Sequence, residues 1–221
     1  MGDAWVACGE KIMTKSNDDI PEYRAAGNDK FMNICEKAYS LYNDNDFVYN
    51  AEELPSVDMF KNDQVLFAEA LTSYCSLLRD MESDYMILPL PKYDEAQPVY
   101  YSRSLEPYIQ LVLTNCEDTS FTGAVLEAIS YEGYKNIVPA YVEATLSYKY
   151  QRDAESIDML NMILGNIMVD VGEVYLSTWF DVGRMYDRIS ASSFDMTSWL
   201  AKNETAIYKR IDEIIEIITE Q

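Results

Sequence analysis

The clearest pattern of apolar and polar positions in the chain predicts an amphipathic helix over residues 28–43. Asn28 is a good N-cap, and Asp29 suits the positive end of the helix dipole. The apolar positions that follow recur at helical spacing on one face. They are Phe31, Ile34, Cys35, Ala38, Leu41 and Tyr42. A final helix carries isoleucines on one stripe in the same way. They are Ile207, Ile211, Ile214, Ile215 and Ile218.

Further helices are predicted between these two. One is expected over residues 59–70, and the chain reads as helical from Phe121 onward. Pro139 suits the first turn of a short helix, and Asp153 can cap the next one. Gly172 is expected to interrupt a helix. The polar stretches 15–27 and 43–57 are expected to be loops.

Three short apolar segments are strand candidates. Residues 85–91 form an apolar run closed by two prolines, which fits a strand that ends at a crossing point. Residues 99–102 and 108–114 are the other two, the latter with weak alternation. Together with the helices, these segments predict a helix-rich α/β fold.

The charge balance excludes several classes of function. The chain of 221 residues has 38 acidic and 17 basic side chains and no histidine, which gives a net charge of −21. A nucleic-acid partner is therefore not expected, because there is no net positive field to attract phosphates. Without histidine, Ser-His-Asp and Cys-His catalysis and His-ligated zinc are excluded.

No residue pattern points to a metal, a cofactor or a catalytic site. The acidic loop that begins at Asp44 lacks the glycine and ligand positions of an EF-hand. Pairs of carboxylates are numerous enough to arise by chance, and no nucleotide-binding or nucleophile motif occurs. The four cysteines are expected to be small buried residues, with a disulfide left open for an exported protein. We therefore predict no enzyme and no cofactor.

Two blocks of sequence resemble one protein family. Residues 84–97, DYMILPLPKYDEAQ, and residues 124–164, AVLEAISYEGYKNIVPAYVEATLSYKYQRDAESIDMLNMIL, are similar in order and spacing to segments of bacterial extracellular solute-binding proteins of family 1. Residues 60–74 are similar to the segment that precedes the first block. These proteins are the carbohydrate-type lipoproteins of ABC importers.

The resemblance implies a type II periplasmic-binding-protein fold, in which two α/β lobes close on a ligand by a hinge. The chain would correspond to the C-terminal half, mostly the second lobe. Residues 1–84 would be a helical part of that lobe, 85–115 the strands that cross toward the first lobe, and 116–221 the remaining helical part. The resemblance also implies an extracellular location, with membrane attachment through a lipid anchor that this chain does not carry. The N-terminus does not read as a secretory signal, and no apolar run reaches the about 18 residues that span a bilayer.

The predicted function is therefore non-enzymatic binding of a solute, an oligosaccharide, in the cleft between the two lobes, and its delivery to an ABC permease. Aromatic side chains near loops and element ends are the candidate ligand-binding residues, because a flat ring with a polar tip can stack on a sugar. They are Trp179 and Tyr175 as stacking platforms, with Tyr101 and Tyr74 as neighbours. The alternative is a stand-alone helical interaction module that uses its acidic surface to bind a basic partner.

Overall fold

A computed structural model of the protein describes residues 4–43, 53–104, 110–147, 154–176 and 195–219. It is helix-rich, with a few short strands, as the sequence predicted for an α/β chain. Two compact units are present, and each gathers distant parts of the chain. The first unit comprises Met1–Asn50, Pro89–Leu105 and Ile163–Gln221, and the second comprises Ala51–Leu88 and Glu106–Met162. The predicted division into lobe segments at 84 and 115 stays a prediction.

The first unit begins with a short helix and a hairpin. Helix α1 is Ala4–Ala7, and strands β1, Met13–Lys15, and β2, Pro21–Tyr23, pair in antiparallel register. The sequence had predicted a loop over 15–27, which was wrong in part. The stretch is polar, yet Ser16 accepts hydrogen bonds from the backbone of Asp18 and Ile20 and closes a tight turn between the strands.

Helix α2, Asp29–Tyr42, confirms the strongest sequence prediction. The side chain of Asn28 accepts a hydrogen bond from the backbone N–H of Phe31, as an N-cap should. The buried face carries Phe31, Ile34, Cys35 and Ala38. The ring of Trp5 in α1 lies 5.7 Å from that of Phe31, so α1 packs onto this face.

Short elements complete the first unit. Strand β3, Ser102–Arg103, pairs in parallel with β4, Ile167–Met168. Helix α7, Val171–Leu176, follows β4 directly. Gly172 therefore lies inside a helix, and the prediction that it interrupts one was wrong. A Cβ at Gly172 would lie 2.9 Å from the Cβ of Ile12, so its role is close packing.

The last helix, α8, is Met196–Thr219, and it confirms the isoleucine stripe. Ile207, Ile211 and Ile214 are buried, and Ile215 packs against the same core. The side chain of Ile218 lies outside the described residues. The core of the first unit thus joins α1, α2, the hairpin and α8 around apolar side chains from both ends of the sequence.

Four further elements lie within the second unit: α3, Glu53–Lys61; a 3-10 helix, Thr72–Leu78; α4, Thr119–Glu132; and α5, Val138–Ser147. A π-helical turn, Gly133–Ile137, connects α4 to α5, and Asp118 caps α4. Helix α6, Ala154–Gly165, runs from residues of the second unit into those of the first. The helix through Pro139 is confirmed by α5, whereas Asp153 lies outside the described residues.

The boundaries of α3 in this unit differ from the prediction. A helix was expected over 59–70, but α3 spans Glu53–Lys61. Asp63 takes a left-handed conformation with φ of 55°, and Gln64 donates its N–H to the carbonyl of Met59, which ends the helix. The predicted loop over 43–57 is therefore helical from Glu53, and residues 44–52 lie outside the description.

The predicted strands are largely absent from the described residues. Residues 85–91 and 110–114 form no strand, and 99–102 contributes Ser102 alone to β3. Tyr85 instead packs with Val57, Leu78 and Met81 in the small core of the second unit. Met86 and Leu88 in the same run are exposed, so this apolar run does not form the buried strand that its composition predicted. Residues 108 and 109 lie outside the description.

We predict that Gly172→Ala lowers the free energy of unfolding of the first unit by about 1–3 kcal/mol, because the added methyl group meets Ile12 and the carboxylate of Asp170. Chemical denaturation followed by tryptophan fluorescence measures this, since Trp5 and Trp199 are buried in that unit's core. Gly165→Ala is the matched control, because no atom outside its own helix backbone and chain neighbours lies within 4 Å of its added Cβ. Equal stability of the two variants would contradict the close-packing role.

Candidate functional site

An open cleft of about 1100 Å³ lies within the first unit. Two parts of the chain form most of its walls. The first wall is the segment after α1 together with the hairpin, and the second is the turn that contains β4. The lining residues are Gly9, Glu10, Lys11, Thr14, Tyr23, Arg24, Ala26, Gly27, Asn28, Tyr101 and residues 165–169.

The first wall starts from a glycine turn. Gly9 has φ of +78°, a conformation that other residues rarely adopt, and it donates its N–H to the carbonyl of Val6 at the end of α1. The ring of Tyr101 lies directly against it, since a Cβ at Gly9 would be 3.0 Å from Cε2 of that ring. The glycine therefore lets the tyrosine lie close to the backbone at one end of the cleft.

The buried amide of Gln97 holds the segment that carries Tyr101. Its Nε2 donates to the carbonyl oxygens of Ala7 and Val99, each at 2.8 Å, and its Oε1 accepts from the backbone N–H of Tyr93. Gln97 is 8% exposed, so these hydrogen bonds satisfy an amide that water reaches poorly. Tyr101 thus reaches the cleft through a fixed segment of backbone.

The carboxylate of Asp170 joins the second wall to the first. It accepts hydrogen bonds from the backbone N–H groups of Ile12 at 2.6 Å, Met13 at 3.2 Å and Gly172 at 2.8 Å. Burial raises the pKa of Asp170, and these three N–H groups and the charge of Lys11 act in the opposite direction. The side chain is 2% exposed and structural, since its oxygens point at backbone donors.

A second polar contact fixes the end of this wall. The Nε of Arg103 lies 2.8 and 3.0 Å from the two carboxylate oxygens of Glu173, and both side chains are nearly buried. The backbone N–H of Ser102 donates to the carbonyl of Asn166. These contacts tie β3 to β4 and α7, which places residues 165–169 along the cleft.

Charged side chains lie at one side of the lining. Both carboxylate oxygens of Glu10 are engaged, one 3.1 Å from the Nζ of Lys30 and the other 2.8 Å from the Nδ2 of Asn28, which donates to it. Arg24 lies 3.7 Å from Glu22, beyond hydrogen-bond distance. Within the described part of the chain, Lys11 makes no ion pair or hydrogen bond.

The structure places one of the four predicted ligand-binding residues in this cleft. Tyr101 lines it, whereas Tyr175 lies on α7 outside the lining and is 40% exposed. Tyr74 belongs to the second unit and packs against its small core. Trp179 lies outside the described residues. Sequence reasoning did not single out Lys11 and Arg24 of the lining. No local pattern shows that residues 165–169 lie in the same cleft as these two cations.

The described residues contain no cluster of three or more side chains suited to hold a metal ion. Among the helices that can be described, none is both long and apolar enough to cross a membrane.

The four thiols form no disulfide. Cys35 and Cys75 are buried, and burial raises the pKa of Cys35 to about 12. Cys8 and Cys116 are half-buried, so the prediction of four buried cysteines is correct for two.

Comparisons with known proteins found no matching family model, no similar curated protein and no similar solved structure. The resemblance of residues 84–97 and 124–164 to extracellular solute-binding proteins therefore stays a prediction. In the structure, residues 84–88 belong to the second unit and 89–97 to the first, where Gln97 anchors the segment that leads to Tyr101.

We predict that Asp170→Asn lowers the free energy of unfolding by about 1–3 kcal/mol, because an amide turns one acceptor into an NH₂ group that faces backbone N–H donors. Denaturation followed by tryptophan fluorescence measures the change. Asp212→Asn, at an exposed position on α8, is the matched control and should stay within about 0.5 kcal/mol of the parent. A stable Asp170→Asn variant would show that the carboxylate does not join the two walls.

Proposed function

We propose that this chain belongs to a non-enzymatic solute-binding component of an ABC importer and that it binds an oligosaccharide in the cleft of the first unit. The observation that carries the proposal is the position of Tyr101 in a cleft whose lining combines apolar and polar side chains. The resemblance of residues 84–97 and 124–164 supports the class of function, a solute-binding component of an importer.

The chemistry of the lining suits a sugar. An aromatic ring can stack on the C–H face of a pyranose, and its hydroxyl can make a hydrogen bond at the ring's edge. Thr14, Asn28 and Asn166 add hydroxyl and amide groups that can donate or accept. Sites for small molecules commonly combine such a flat apolar surface with a few polar groups that fix orientation.

The size of the cleft favours more than one sugar unit. Its volume of about 1100 Å³ is slightly above the roughly 300–1000 Å³ typical of ligand pockets. It is open to solvent, which lets a chain of sugars extend beyond the residues that contact it. Delivery to a permease, an extracellular location and lipid anchoring of the complete protein belong to this proposal through the resemblance.

We predict that the chain binds a short oligosaccharide and that Tyr101→Ala weakens this binding about tenfold, because a stacking face is lost. Titration calorimetry with a panel of neutral and acidic oligosaccharides measures it. Tyr101→Phe keeps the ring and should retain most of the affinity. Circular dichroism checks that each variant is folded.

Tyr175→Ala is the matched control, since Tyr175 is a partly exposed tyrosine of the same unit outside the lining. Its affinity should equal that of the parent chain. Loss of binding in the Tyr175 variant with full binding in the Tyr101 variant would move the site away from this cleft. No binding of any oligosaccharide would overturn the proposed function.

A further inference from the structure

We propose that the solute carries an anionic group, such as a carboxylate or a sulfate, and that Lys11 and Arg24 contact it. This inference rests on the proposed function and specifies its substrate class. Both cations line the cleft, although basic side chains are fewer than half as numerous as acidic ones in the whole chain.

Glu10 is the one carboxylate of the lining, and it repels an anionic ligand only weakly. Glu10 is 17% exposed, and its two oxygens are held by Lys30 and Asn28. The cation at 3.1 Å and the amide donor at 2.8 Å occupy two of the roughly four acceptor sites of this carboxylate, and the cation offsets its charge. Its charge is largely balanced by Lys30.

Asp170 is the other carboxylate close to this wall. It lies behind the lining rather than in it, and it is turned toward the backbone N–H groups of Ile12, Met13 and Gly172. Three charge-assisted hydrogen bonds satisfy it. The charge of Lys11 acts to lower the pKa of this carboxyl group.

The two cations are available to a ligand. Within the part of the chain that the structure describes, Lys11 has no hydrogen-bonded partner, and it is half-buried. The pair of Arg24 with Glu22 spans 3.7 Å between side chains that are 58% and 46% exposed. Such an exposed pair contributes little, so an anionic ligand can replace Glu22 at low cost. A guanidinium and an ammonium are each suited to a carboxylate or a sulfate.

The test compares acidic oligosaccharides with neutral counterparts of the same linkage and length. Oligogalacturonides are paired with their carboxyl-reduced forms, and sulfated oligosaccharides with their desulfated forms. Calorimetric titration of the chain should show at least about tenfold tighter binding to the acidic member of one pair. Raising the salt concentration should weaken that binding more than the binding of the neutral member.

The variants Lys11→Gln and Arg24→Gln should each weaken binding of the acidic member about tenfold and leave binding of the neutral member nearly unchanged. Lys209→Gln, on the exposed face of α8, removes one positive charge outside the cleft and should change neither. Circular dichroism confirms that the variants are folded. An equal loss in the Lys209 variant would mean that overall charge, not the cleft, sets the preference.

Two failures are distinguishable. If the chain binds neutral members as tightly as acidic ones, the inference about the anionic group is overturned and the proposed function stands. If it binds no oligosaccharide of either kind, the proposed function is overturned, and this inference with it.

Discussion

The first unit depends on one carboxylate that binds backbone from two distant parts of the chain. Asp170 follows β4, yet it accepts the N–H groups of Ile12 and Met13, about 158 residues earlier in sequence, and that of Gly172 beside it. The short strands around it supply few ladder hydrogen bonds of their own. The carboxylate therefore replaces part of a sheet, and it fixes the separation of the two cleft walls.

Other buried polar groups repeat this arrangement at smaller scale. Gln97 joins the end of α1 to the segment before Tyr101, and Arg103 joins β3 to Glu173 on α7. A buried polar group without a partner costs free energy, so each of these contacts favours one arrangement of the segments it joins. A cleft built in this way is largely formed before a ligand arrives. A ligand then has less chain to order, which improves the affinity available from a few contacts.

The sequence predicted the elements whose signals are local. Asn28 capping an apolar stripe predicted α2, the isoleucine spacing predicted α8, and Pro139 predicted α5. Prediction from the sequence failed where an element depends on a contact with a distant part of the chain, or where no neighbouring strand is present. The hairpin over Met13–Tyr23 is polar in sequence, but the backbone N–H of Met13 donates to Asp170. Tyr85 is buried in a small core without forming a strand.

The same reasoning applies to the cleft. Tyr101 lines the cleft and was chosen from the sequence as an aromatic near an element end, but Tyr74 and Tyr175 met the same criterion and lie elsewhere. Nothing in the sequence around Lys11 or Arg24 signals that residues 165–169 lie across from them. That proximity arises from long-range contacts through Asp170, which no periodicity or spacing records.

The strongly negative chain and its cationic cleft residues act over different distances. The net charge of −21 disfavours large polyanions, because they approach many surface charges at once. At physiological ionic strength, charges separated by more than about 8 Å are largely screened. A small solute inside the cleft is affected mainly by the groups in contact with it. There, Lys30 offsets the charge of Glu10, and Lys11 and Arg24 also line the cleft. An overall charge that argues against nucleic acid is therefore compatible with a site that prefers a small anion.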